Sequence, residues 1–173
     1  MISFKVIFHK VQFILIDENL LKKVSNLLKE KNLTVATAES CTGGLIAHTL
    51  TNISGSSNYF DRGIVSYSNI AKNELLGVPE DILKKYGAVS KEVAKIMAES
   101  IRIKSQVDIG LSTTGIAGPT GGTKEKPVGL VFIAISTSQG TYIRRYQFNG
   151  NRFQNKEHTC NAALWMILNH LKK

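Results

Sequence analysis

The 173-residue chain has two cysteines, three prolines, one tryptophan and four widely spaced histidines. Cys41 and Cys160 do not make a disulfide framework, and no Cys or His pair has the spacing of a zinc site, so no metal is expected. A reducing cytoplasm fits that cysteine usage. His9, His48, His158 and His170 stand singly, as packing or surface residues do. Long apolar runs are missing as well. The apolar stretch within residues 1–16 is broken by Lys5, His9 and Lys10 and is followed by no small-residue cleavage site, which argues against both a membrane helix and a signal peptide. Acidic residues are few: 13 against 22 Lys and Arg, for a formal net charge of +9. Such a balance suits nucleic acid, acidic membranes or small anions. Lys22, Lys23, Lys29, Lys31, Lys84, Lys85, Lys172 and Lys173, however, fall on separate predicted helix faces and ends, without the interleaved aromatics of a single-strand groove. Solvated helix faces are expected, not a nucleic-acid surface.

What is present is a chain long enough for one well-buried core, with 43% hydrophobic residues. We expect a single domain over 17–173 behind an N-terminal extension, 1–16, whose alternating Ile2, Phe4, Val6 and Phe8 suit an added edge strand, a hairpin, a frayed tail or a partner contact. Asp17 is placed to cap a helix with the apolar stripe Leu20, Leu21, Val24, Leu27 and Leu28, ending near Asn32. A strand over Leu33–Ala38 follows, then a helix over 44–53, a loop at 54–58 and a second strand from Gly63 to Ser68. Asn69 caps a short helix ending at Gly77. Pro79 opens another that Gly87 stops, and Ser90 caps a longer one through Ile101. Asp108–Thr114 is the third strand. Val128–Ser136 and Thr141–Phe148 form a hairpin across Thr137–Gly140, and the stripe from Cys160 to Leu171 makes a closing helix. Early alternation of strands with helices and a late hairpin predict an α/β fold, with a mixed sheet covered by helices on both faces.

Two loops draw attention on such a sheet, where ligands gather outside the carboxyl ends of strands. The first is Thr37-Ala-Glu-Ser-Cys-Thr-Gly-Gly44, at a strand-to-helix junction able to present a nucleophile beside backbone donors. Ser40 there reads either as a turn or capping residue or as a nucleophile. Gly43 and Gly44 let backbone approach a ligand, with Thr42 and adjacent N–H groups as donors. Cys41 is the rival nucleophile, since a thiol at a helix N-terminus can have a lowered pKa. Glu39 is placed to orient a neighbouring donor or base, or simply to cap. No histidine is obviously positioned as the base, so Lys72 is the candidate, provided burial or nearby cations lower its pKa. Tyr67 offers a hydroxyl to relay a proton. The second loop, Gly115-Ile-Ala-Gly-Pro-Thr-Gly-Gly122, has the composition of an anion cradle but matches neither the P-loop nor the dinucleotide pattern of glycines. Thr114 at its start, with Gly115 and Gly118, and Arg152 at the head of the last helix complete the candidate binding set.

Taken together, Ala38-Glu-Ser-Cys-Thr-Gly-Gly44, Gly55-Ser-Ser57, Gly63-Ile-Val-Ser-Tyr-Ser-Asn69 with Lys72, Gly87-Ala-Val-Ser90, Gly115-Ile-Ala-Gly-Pro119 with Gly121-Gly122, and Lys126-Pro-Val-Gly129 resemble the CinA C-terminal family over roughly residues 17–171. That family contains nicotinamide-nucleotide amidases, which hydrolyse nicotinamide mononucleotide to nicotinic acid mononucleotide and ammonia in pyridine nucleotide salvage. The resemblance implies a three-layer α/β/α sandwich. It makes Ser40 the nucleophile, Lys72 the base and Tyr67 an assisting hydroxyl, with Thr114 and Arg152 at positions that handle a small nucleotide substrate. No metal or organic cofactor is implied, and a homo-oligomer is, with a dimer as the first expectation. The chain is similar to the stand-alone form of the family. Residues 1–16 have no counterpart in the pattern, and Asn151 stands where relatives often carry an acidic residue. A non-catalytic nucleotide-binding or regulatory module is the competing expectation.

Overall fold

In the computed structural model the described residues are 16–172. The N-terminal extension therefore lies, apart from Ile16, outside the described residues, as does Lys173. Six helices and five strands follow one another as α1 (Glu18–Glu30), β1 (Val35–Glu39), α2 (Leu45–Thr51), β2 (Phe60–Val65), α3 (Asn69–Leu76), α4 (Glu80–Tyr86), α5 (Lys91–Ser105), β3 (Ile109–Gly115), β4 (Leu130–Thr137), β5 (Gly140–Gln147) and α6 (Arg152–Leu171). The sheet order is β2-β1-β3-β4-β5, parallel on both sides of β1 and antiparallel from β3 onward. This is the mixed sheet with helices on both faces that the alternation of elements predicts.

The pleat sorts residues into two layers. Val35, Ile109, Leu111, Val131, Ile133 and Ile135 pack on the face covered by α1, α2 and α6, together with Leu28, Leu50 and Leu164. Ala36 and Ala38 point the other way, onto Val93, Met97 and Ile101 of α5 and Leu76 and Leu83 of α3 and α4. Small residues on that second face let α5 come close. At Gly110 a Cβ would fall 2.2 Å from the Ala98 carbonyl oxygen, so only glycine permits this approach. The Ser112 hydroxyl fastens the same contact by donating to Ala94 O at 2.6 Å.

Several predicted boundaries move, each because pairing or capping outranks local composition. β1 runs Val35–Glu39 rather than Leu33–Ala38, because Glu39 pairs with both Val65 and Thr113. β2 occupies Phe60–Val65 rather than Gly63–Ser68, since its partners on β1 begin with Val35↔Phe60. Tyr67 and Ser68 are thereby freed from the ladder. The cap of α3 is then Ser68, not Asn69, with its hydroxyl accepting from Ala71 N–H at 3.0 Å. β4 and β5 pair down to Thr137↔Gly140, which leaves a tight turn at Ser138 and Gln139. α6 starts well before its apolar stripe, on a capping box formed by Asn151 and Gln154.

Candidate active site

β1, β3 and the β2–α3 connection deliver their carboxyl ends to one edge of the sheet, and the side chains gathered there form the site. Ser40 follows the last residue of β1, and its N–H donates to Thr113 O at 3.0 Å. The chain then reverses through Gly43 (φ +63°) and Gly44 (φ +93°), left-handed values that favour glycine, and enters α2. Lys72 lies one turn into α3, whose start is fixed by the Ser68 cap, and its side chain runs inward until it is 1% exposed. Lys72 Nζ is 2.9 Å from Ser40 Oγ and 2.8 Å from Ser66 O, with Tyr67 O at 3.4 Å. The predicted nucleophile and the predicted base are thus in direct contact.

This geometry defines the chemistry of the pair. Burial lowers the Lys72 pKa from its ordinary value to about 8, so about a tenth of the side chain is neutral at pH 7. A neutral amine keeps two N–H donors, which the Ser66 and Tyr67 carbonyls can occupy, and its lone pair is then left to face the Ser40 hydroxyl. Cys41, the rival, shares the turn but has the opposite character. Burial, with the Glu39 carboxylate adding to it, pushes its thiol up to about 12, so the helix start does not yield a thiolate. Cys160 is likewise pushed up to about 12 by burial.

A cavity of about 260 Å³ opens above the pair, lined among others by Ser40, Tyr67, Lys72, Thr114, Gly115, Gly118 and Arg152. Larger grooves exist, one of about 600 Å³ between β5 and the end of α6, but none of them contains the serine–lysine pair. The 115–122 loop forms one wall and is held from α6. Arg152 donates from NH1 to Gly118 O at 2.7 Å, and buried Asn155 donates to Ala117 O at 3.0 Å while accepting from Gly150 N–H. Thr114 lines the cavity, with its hydroxyl donating to Ala88 O at 2.7 Å, so toward a ligand it is an acceptor.

Tyr67 and the first glycine pair lie differently from expectation. The Tyr67 hydroxyl accepts from Arg152 NH2 at 2.7 Å and is joined to neither Ser40 nor Lys72. What Tyr67 brings toward the lysine is its main-chain carbonyl. Thr42, Gly43 and Gly44 do not line the cavity. The Thr42 hydroxyl is buried against that of Thr113 at 2.8 Å, Gly43 N–H donates to Ser40 O, and Gly44 N–H is taken by Glu39. Composition points to no role for Asn155, and for Glu39 it offers capping as one of two roles without saying which amides are capped, which are those of α2. A capping-box spacing, Asn151 to Gln154, was the available signal for the first. The second depends on where a side chain folds back.

No group of three or more His, Cys, Asp or Glu residues able to hold a metal occurs among the described residues, and none of their helices is long and apolar enough to cross a membrane.

Fold and site together define a three-layer α/β protein with a buried serine–lysine pair at the carboxyl end of a mixed sheet. The CinA C-terminal domain pattern matches residues 17–171, and the chain belongs to that family. A CinA-like protein of Syntrophus aciditrophicus is 55% identical over 156 residues, covering 90% of this chain and 37% of that protein. The chain spans a little over a third of the length of other curated relatives as well. Among solved structures, the competence/damage inducible protein CihA from Agrobacterium tumefaciens superposes with a TM-score of 0.86 at 41% identity, over 90% of this chain and 95% of that one. A CinA superfamily protein from Enterobacter cloacae gives 0.85 at 32% identity, over 99% of each.

Proposed function

We propose that the protein is a nicotinamide-nucleotide amidase, releasing ammonia from the carboxamide of nicotinamide mononucleotide to leave nicotinic acid mononucleotide. The observation that carries this reading is the 2.9 Å contact between Ser40 Oγ and the buried Lys72 Nζ. Neutral Lys72 takes the Ser40 proton as Oγ attacks the carboxamide carbon, and the carbonyl electron pair moves onto oxygen. The resulting Lys72 ammonium gives that proton to the departing nitrogen as the C–N bond breaks, so ammonia leaves and an acyl-serine remains. Water, deprotonated by the same amine, then splits the ester and restores Ser40. One lysine serves as base and acid in turn, so no second titrating group is required.

A donor for the tetrahedral oxyanion comes from the turn itself. Ser40, Gly43 and Gly44 amides are engaged within the fold and Thr42 is buried away from the cavity, so the Cys41 N–H, on a residue that lines it, is the candidate. Such a donor is worth about 3 kcal/mol in transition-state stabilisation. At the far wall Arg152 and the Tyr67 hydroxyl form a cationic and hydrogen-bonding pair suited to the phosphate, with Thr114 and the 115–122 loop beside it. The test is ammonia release from nicotinamide mononucleotide by wild type and Ser40→Ala. Turnover by wild type and its loss in the variant are expected. Equal rates refute the nucleophile, and tight mononucleotide binding without turnover by wild type favours a binding module.

A further inference from the structure

Glu39 occupies a place that neither strand pairing nor cavity lining requires. It is the last residue of β1, its backbone is bonded on both sides within the sheet, and its side chain is 1% exposed. The carboxylate folds back under the start of α2. One oxygen accepts from Gly44 N–H at 2.9 Å and Ile46 N–H at 3.2 Å, the other from Ala47 N–H at 2.8 Å, with the Thr37 hydroxyl 3.5 Å away. A helix is ordinarily capped by the side chain of its own N-cap residue. Here the N-cap is Gly44, which has none, and its φ of +93° disfavours the serine or aspartate that would serve. The cap comes instead from five residues upstream, across the turn that carries Ser40.

We infer that Glu39 is a positioning residue: by tying the end of β1 to the first turn of α2, it fixes the intervening Ser40 turn so that Ser40 Oγ meets Lys72. This rests on the reading of Ser40 as nucleophile. Burying a carboxylate is costly and is offset here by charge-assisted bonds to three amides, which stiffen the loop from both ends. The Gly43 N–H to Ser40 O bond at 3.2 Å closes the turn internally. The same contacts use the Gly44, Ile46 and Ala47 amides at the α2 start, so what the turn presents to the cavity is the Ser40 hydroxyl and Cys41.

The experiment compares wild type, Glu39→Gln, Glu39→Asp and Ser40→Ala in steady-state ammonia release, in the rate of covalent labelling by a fluorophosphonate, and in thermal unfolding. Glutamine keeps the shape but replaces one acceptor oxygen by a donor, while aspartate keeps the charge and shortens the reach by one methylene. In folded Glu39→Gln, kcat is expected to fall on the order of 100-fold with KM nearly unchanged, labelling of Ser40 slows in parallel, and Glu39→Asp falls between it and wild type. Should Glu39→Gln fail to fold, Glu39→Asp is read by the same criterion. A folded variant with wild-type kcat and labelling rate, or one whose activity loss only follows its folded fraction, overturns the inference. Equal turnover by wild type and Ser40→Ala instead overturns the nucleophile reading beneath it.

Discussion

The two glycine-rich loops at the carboxyl edge of the sheet have similar compositions and opposite architectures. In the 39–44 turn the glycine amides are consumed from within, by Ser40 O and the Glu39 carboxylate, and only a short arc of backbone faces the cavity. The 115–122 loop lines the cavity over most of its length and is held through its carbonyls by Arg152 and Asn155 of α6. A turn that must aim one hydroxyl is stiffened by its own bonds, whereas a wall that must receive a ligand is propped from behind. Glycine count alone does not separate the two. What separates them is where the N–H groups go.

Lys72→Met breaks the comparison hardest, because it removes the proposed base from the rigid side alone. Ammonia release is expected to drop by at least about 10³-fold. Thermal unfolding at pH 7 should show stability unchanged or raised by about 1–3 kcal/mol, since the buried ammonium costs the folded state at that pH. A variant that loses stability along with activity would mean that Lys72 is a structural strut. Arg152→Ala tests the propped side: kcat/KM should fall about 10- to 100-fold, carried mainly by KM, because the proposed charge-assisted contact to the phosphate is lost together with the hold on Gly118. If the nucleophile turn holds the phosphate instead, steady-state kinetics of this variant will stay close to wild type.

The pH dependence sharpens the same division. On the proposed mechanism Lys72 acts when neutral, and its pKa is lowered to about 8, so kcat should rise about tenfold per unit as pH increases toward 8, then level off. The matching stability contribution changes in the same direction but in a higher pH window. Below about 8 the group weighs against the folded state, and that penalty is relieved as pH climbs from 8 toward the unfolded lysine value. Chemical denaturation at pH 7 and pH 9.5 measures the difference. Smallest is Tyr67→Phe, expected to raise KM a few-fold with kcat within about threefold, because its hydroxyl serves Arg152 and not the reacting bond. A kcat loss of about 100-fold would restore the proton relay that the residue type first suggested.

Element types were legible because each depends on a local period. The α1 stripe is read correctly from Leu20 to Leu28, and the late hairpin from two β runs about a turn. Strand ends were less so. β2 gives up Ser66 to Ser68 because its register is set by Val35 and Glu39 on another strand, a constraint that leaves no mark within 60–68. The Ser40–Lys72 pair was legible as residue types, and its distance was not. Tyr67 shows the limit most clearly: the side chain is 59% exposed and turned to an arginine 85 residues away, so no neighbouring residue announces its partner.

The sequence by itself determined the α/β layering, the glycine reversal after Ser40, the caps at Asp17 and Ser90, and the family, since these follow from near-neighbour spacing and ordered motifs. Only the tertiary structure decided that Lys72 is buried against Ser40, that Cys41 remains a thiol, and that Glu39 rather than a substrate holds the start of α2. Each of these rests on desolvation or on a bond between elements. Neither exists until the sheet assembles and excludes water from its edge.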